Sequence, residues 1–220
     1  MELHDVLERV DAPDELVTSV RDTLADLDQA WEACDRGAHR VWLAAVAGAP
    51  IEVMIEAGAA AVTALLERLP EPPEAAVVAL ERAVGGATTV DLLAAAEACE
   101  ALADAGSYRG TSAPARAAAA RAAALVARAA EGLAAGEARR EATRLEQAQR
   151  TGAFVGVGTH AVLPADPGPA RLDVAHGPAD PAQGTFLYAV AAVAEAVAEV
   201  AAALGDEPAT DALVRAALEA

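Results

Sequence analysis

The residues best suited to chemistry are gathered in one stretch, TGAFVGVGTHAVLPADPGPARLDVAHGPADPAQ, residues 151–183. His160, Asp166, Asp173, His176 and Asp180 offer imidazole and carboxylate, both suitable ligands for a divalent metal. Of these, His160, Asp173 and His176 are the metal-ligand candidates. Their spacing matches no established ligand pattern, and Asp166 and Asp180 each precede a proline, where aspartate stabilises turns. No metal or cofactor is therefore expected. Gly156 and Gly158 form a lone G-x-G after a helical stretch, which is not a dinucleotide fingerprint. The chain lacks HExxH, GxSxG and the paired Glu-x-x-His of di-iron bundles, so the corresponding hydrolytic and oxidative templates fail. It also contains no Lys, which excludes a P-loop lysine and a Schiff-base lysine. On one helix His39 would face away from Cys34, so a Cys–His dyad is not expected either. These residues predict a chain with no catalytic group.

The stretch at 151–183 must be positioned by its flanks, and almost everything outside it reads as helix. Ile51, Ile55, Gly58, Val62, Leu65 and Leu69 follow a 4-3-4-3-4 spacing, the apolar stripe of an amphipathic helix. Gly58 in that stripe predicts a close helix crossing. Leu92, Ala95, Cys99 and Leu102 repeat the pattern after Thr88 and Asp91, which resemble a capping box. Phe186, Val190, Val193, Val197, Val200 and Leu204 repeat it again. Further helices are expected over 2–10, 14–29 (stripe Leu16, Val20, Leu24, Leu27), 28–47, 73–84, 112–149 and 208–219. In the helix at 28–47, Trp31 and Trp42 would share one face, beside Cys34 and Ala38. Glu32 with Arg36, and Asp35 with His39, would form i,i+4 pairs. Cys34 and Cys99 read as buried free thiols. The run 137–150 reads as a solvated helix face. The stretch 151–183 reads as an ordered loop pinned by its own apolar residues, with a short strand pair within Phe154–Leu163.

The composition limits the function classes. Of 220 residues 64 are Ala, and aromatic residues make up only 3%. Such a core must gain by close backbone approach and many small contacts, because each buried methyl group contributes little. The formal net charge is −18, which repels nucleic acid and anionic membranes and favours basic partners. Within that total, the stretch 111–150 is net positive. The acidic, mixed amino terminus does not resemble a secretory leader. The uncharged run Pro181–Ala194 is too short for a membrane span. Together with the missing Lys and Asn, the Ala/Arg/Gly bias points to a high-GC bacterium. The expected location is cytoplasmic.

Residues 31–48 (WEACDRGAHRVWLAAVAG) lead into an apolar helix, the Pro-rich LPEPPEAAVVALERA (69–83) and an Ala-rich helix bearing regularly placed Arg. Over about residues 25–135 this order resembles the all-helical immunity proteins found beside bacterial polymorphic toxins. The resemblance implies a small cytoplasmic protein that binds and neutralises a cognate toxin. The partner would then be another protein, such as a basic toxin domain, rather than nucleic acid or membrane. The surface expected to meet it comprises Glu32, Asp35, Arg36, His39, Arg40, Arg171 and Asp173.

The expectation is an all-α, single-domain antiparallel array of about eight Ala-rich helices with one long Pro/Gly-rich loop. Residues 1–150 would form the main body, 151–183 the loop, and 184–220 a carboxy-terminal helix pair packing back. The expected function is non-enzymatic protein binding of the immunity type. One alternative is a helical scaffold or homo-oligomeric subunit, which would expose an apolar patch near Val190–Leu204. The other is a ligand- or metal-binding protein or enzyme that uses the 151–183 loop.

Overall fold

The computed structural model describes residues 2–104, 108–150 and 181–220, and within them the chain forms ten helices and no strand. In order they are α1 (Leu3–Arg9), α2 (Asp14–Thr23), α3 (Leu27–Ala33), α4 (Gly37–Val46) and α5 (Ile51–Glu67), then α6 (Glu74–Val84), α7 (Thr89–Asp104), α8 (Ala113–Arg150), α9 (Pro181–Leu204) and α10 (Glu207–Leu218). The architecture is a single-domain helical array. Of the loop expected over 151–183, residues 151–180, with the strand pair within Phe154–Leu163, lie outside the described residues, while 181–183 begin α9 instead.

Helix starts are set by short polar side chains and prolines. Asp26 accepts from the Gln29 N–H at 2.9 Å, while the Gln29 side chain accepts from the Asp26 N–H at 3.2 Å, a reciprocal cap on α3. The Thr88 hydroxyl accepts from the Asp91 N–H at 3.3 Å and donates to the Asp91 carboxylate at 2.6 Å, so half of the expected capping box is present and the carboxylate turns to the hydroxyl. Pro13, Pro50 and Pro73 stand at the N-caps of α2, α5 and α6.

The core lies along α9, which packs against α8, α4, α5 and α10, while α8 also packs against α5, α6 and α7. Val190, Val193, Val197 and Val200 are fully buried, as are Ile51, Val62 and Cys99 on the α5 and α7 stripes. The apolar patch that an oligomeric subunit would have shown at Val190–Leu204 therefore faces mostly into the core. Among the described residues one helix, over Gln183–Leu204, is long and apolar enough to cross a membrane. Here it is the central helix of the array. Gly58 sits where α5 crosses α9 and α8: a Cβ there would stand 2.9 Å from Val193 Cγ1 and 3.4 Å from Val126 Cγ2. The close crossing expected at this position is present.

Two local expectations are corrected. Leu24 does not continue the α2 stripe; it adopts a left-handed conformation at the helix end and is 79% exposed. The run 28–47 is not one helix, since Cys34 and Arg36 are extended and separate α3 from α4. The pairs Glu32–Arg36 and Asp35–His39 consequently have no helical spacing. Glu32 pairs instead with Arg215 at 2.8 Å, and Arg36 with Glu15. Trp31 and Trp42 no longer share a helix face: Trp42 is buried, whereas Trp31 is half-buried and donates its indole N–H to Glu219 at 3.1 Å.

Candidate functional site

The break between α3 and α4 has a physical cause, which is Arg40. Its side chain is 1% exposed. The guanidinium grips Asp211 of α10 in bidentate fashion, Nε to Oδ1 at 2.7 Å and Nη2 to Oδ2 at 2.8 Å. It also donates to the backbone carbonyls of Trp31, at 2.7 Å, and Cys34. These carbonyls belong to the end of α3, where carbonyls lack intrahelical donors. Arg40 thus caps one helix, begins in the next and anchors a third. It also lies 4.9 Å from the centroid of the Trp31 ring, within range of a cation–π contact. Burial works against the charge on Arg40, but the hydrogen bond to Asp211 and the charge of that carboxylate add up to raise the guanidinium pKa above its ordinary value.

Gly37 opens α4 against the same region. A Cβ at this position would meet Val197 Cγ1 at 2.9 Å and Val214 Cγ2 at 3.2 Å, so only glycine lets α4 approach α9 and α10 this closely. Two outer contacts reinforce the join: Arg215 bonds both Glu32 and Glu219, and Glu219 also receives the Trp31 indole.

Above this clasp lies a cleft of about 760 Å³. One wall is the α1–α2 turn, with Asp11 and Pro13, and another is the α3–α4 break and α4, with Asp35, Arg36, Ala38, His39 and Trp42. The opposite side is α9, with Ala191, Ala194, Glu195 and Ala198, and the first turn of α10 closes it with Glu207 and Pro208. The floor is thus largely alanine with the buried Trp42, and carboxylates stand around it. Four acids, Asp11, Asp35, Glu195 and Glu207, face a single guanidinium, Arg36, which is already paired with Glu15.

The electrostatics follow from that arrangement. Burial pushes the Glu207 carboxyl above its ordinary range; Arg36 pulls it back, while Asp211 and Asp35 push it further up. His39 is half-buried, and burial, aided by Arg36, lowers its pKa, so the ring is neutral at pH 7. Among the described residues, the lining holds no hydroxyl, thiol or amine that could act as a nucleophile. Carboxylates beside a small apolar surface suit the recognition of positive charge.

Of the residues expected to meet a partner, Asp35, Arg36 and His39 line this cleft together. Glu32 lies outside it, held by Arg215. Arg40 is not a surface residue at all; it is the buried clasp beneath the cleft. Arg171 and Asp173, like His160 and His176, lie outside the described residues. Among the described residues no group of three or more His, Cys, Asp or Glu side chains could hold a metal ion. Cys99 is buried, and burial pushes its thiol up to about 11; Cys34 is half-buried at the α3–α4 break and is also raised by burial.

Sequence reasoning missed Asp211, Glu195 and Glu207. For Asp211 a signal exists: with Val214 and Leu218 it falls on the 3-4 stripe of the last helix, and an acid on an apolar stripe needs a buried partner. Glu195 and Glu207 carry no such mark, because nothing in their spacing joins them to α4. Fold and site together define a helical-array protein with an acid-rimmed apolar cleft. No family model, curated protein or solved structure matches the chain.

Proposed function

We propose that this chain is a non-enzymatic protein-binding module, of the immunity type, that neutralises a basic bacterial toxin in the cytoplasm. The observation that carries the reading is the cleft, an alanine floor bounded by Asp11, Asp35, Glu195 and Glu207, on a chain of net charge −18. An acidic surface of this kind speeds encounter with a basic protein and disfavours like-charged competitors. The likeness of residues 25–135 to immunity proteins supports the same reading.

The test is co-expression with the product of the neighbouring gene. The expected result is growth of a host that the neighbour alone arrests, and a complex that co-elutes in gel filtration. The absence of both rescue and a complex would overturn the reading.

A further inference from the structure

The protein-binding reading leaves open what the cleft itself holds. We propose that it receives an arginine side chain from a basic segment of the partner protein, with the guanidinium between Asp35, Glu195 and Glu207 and the methylene stem along the alanine floor. This rests on the reading of the chain as a protein-binding module.

The cleft is large enough for recognition, since sites for drug-sized ligands span roughly 300–1,000 Å³ and this one measures about 760 Å³. Its charge is only partly compensated: among the described residues Asp35, Glu195 and Glu207 form no ion pair, and Arg36, which eases the charge on Glu207, is paired with Glu15. Glu207 in particular is part-buried without a cation that fully offsets its desolvation. A guanidinium fits better than an ammonium. It is planar, presents several donors in a fixed fork that matches carboxylates, and sheds water more readily. The apolar stem of arginine also suits small side chains such as Ala194 and Ala198. The charge argues for a foreign partner over a second copy, because two chains of −18 repel one another.

The test uses the full chain and two probe peptides, acetyl-Ala-Arg-Ala-amide and its citrulline counterpart, which keeps the shape and loses the charge. Binding is followed by NMR of the His39 ring and the Trp42 indole. The arginine peptide is expected to shift both signals saturably and the citrulline peptide to leave them in place. Glu207→Gln is expected to weaken binding about tenfold, as for one lost charged hydrogen bond. Glu199→Gln serves as the control: that carboxylate pairs with Arg121 outside the cleft, and its removal is expected to change nothing.

The proposal is overturned by equal binding of the two peptides, by equal effects of the two variants, or by no shift at His39. It is also overturned by a concentration-dependent dimer in light scattering that Glu207→Gln abolishes, since the occupant is then a second copy. The two readings fail separately. Rescue without peptide binding removes the arginine site and leaves the antagonist, whereas peptide binding without rescue does the reverse.

Discussion

Removing Asp211 tests the clasp beneath the cleft most directly. Arg40 is 1% exposed and Asp211 8% exposed, with two bonds of 2.7 and 2.8 Å between them. Two unit charges about 4 Å apart attract by ~4 kcal/mol at an effective dielectric near 20. Asp211→Ala keeps the guanidinium buried and takes away its counter-charge, leaving only the carbonyls of Trp31 and Cys34 as acceptors. Removing one partner of a buried pair costs roughly 3–5 kcal/mol. That is a large share of the ~5–15 kcal/mol by which proteins are stable. At ~2–4 °C per kcal/mol for a chain of this size, the melting temperature is expected to fall by roughly 6–20 °C.

Urea unfolding followed by Trp fluorescence and circular dichroism measures this loss, provided the slope m is unchanged. Arg40→Met with Asp211→Leu is the companion variant. It removes both charges and fills their volume, so it is expected to lose less than either single substitution. A loss under about 1 kcal/mol for Asp211→Ala would refute the clasp, because orphaning a buried charge costs several-fold more. So would a double variant that loses the sum of the two singles, since the pair would then not be coupled.

Three further outcomes follow from the packing and the titrating groups. Gly58→Ala places a methyl group 2.9 Å from Val193 and is expected to cost roughly 1–3 kcal/mol in urea unfolding, whereas Gly48→Ala meets nothing within 4 Å and probes only the turn. His39 has a folded pKa below its ordinary 6.5; the unfolded chain therefore binds the proton first, and stability is complete above that pH and declines as pH falls through it toward the folded value. His39→Gln is expected to flatten that slope between pH 7.5 and 5.5, and an unchanged slope would contradict the placement of the ring (~ one pH-linked proton). Cys99, buried and raised to about 11, is expected to resist iodoacetamide at pH 8 until urea unfolds the chain; mass spectrometry of the native protein checks this.

The helical stripes were legible because a period of 3.6 leaves its mark wherever a helix buries one face. Ile51 through Leu69 and Phe186 through Val200 show it, and Gly58 could be read as a crossing because it interrupts a stripe of large residues. The α3–α4 break was not legible, for a specific reason. Residues 28–47 follow helical spacing and carry two i,i+4 charge pairs, and Gly37, a weak breaker inside a helical pattern, is the one local hint of an interruption. The run is interrupted where Arg40 turns back onto the Trp31 and Cys34 carbonyls, and Arg40 is held by Asp211, 171 residues further along. The cleft was legible in part on the same grounds. Asp35, Arg36 and His39 are neighbours in sequence and were read as one surface. Asp11, Glu195 and Glu207 join them only through tertiary packing, which local spacing does not encode.

The clasp and the cleft are connected through the composition. Alanine faces are nearly alike at every turn, so an interface made of them is poor at distinguishing one register from the next, and its dispersion contacts are individually small. A directional pair between Arg40 and Asp211, with Trp31 on Glu219 and Arg215 on Glu32, holds α10 at one position against α3 and α4. Glu207 and Pro208 begin α10 and close the cleft, so the placement of the acid rim depends on the clasp. Buried ionic groups can supply specificity of position even where they add little stability. The variant carrying Arg40→Met and Asp211→Leu separates these roles. It is expected to stay folded and yet bind the arginine peptide more weakly than the wild type, with broadened His39 signals. A folded double variant with wild-type affinity and sharp signals would show that alanine packing alone sets the position of α10.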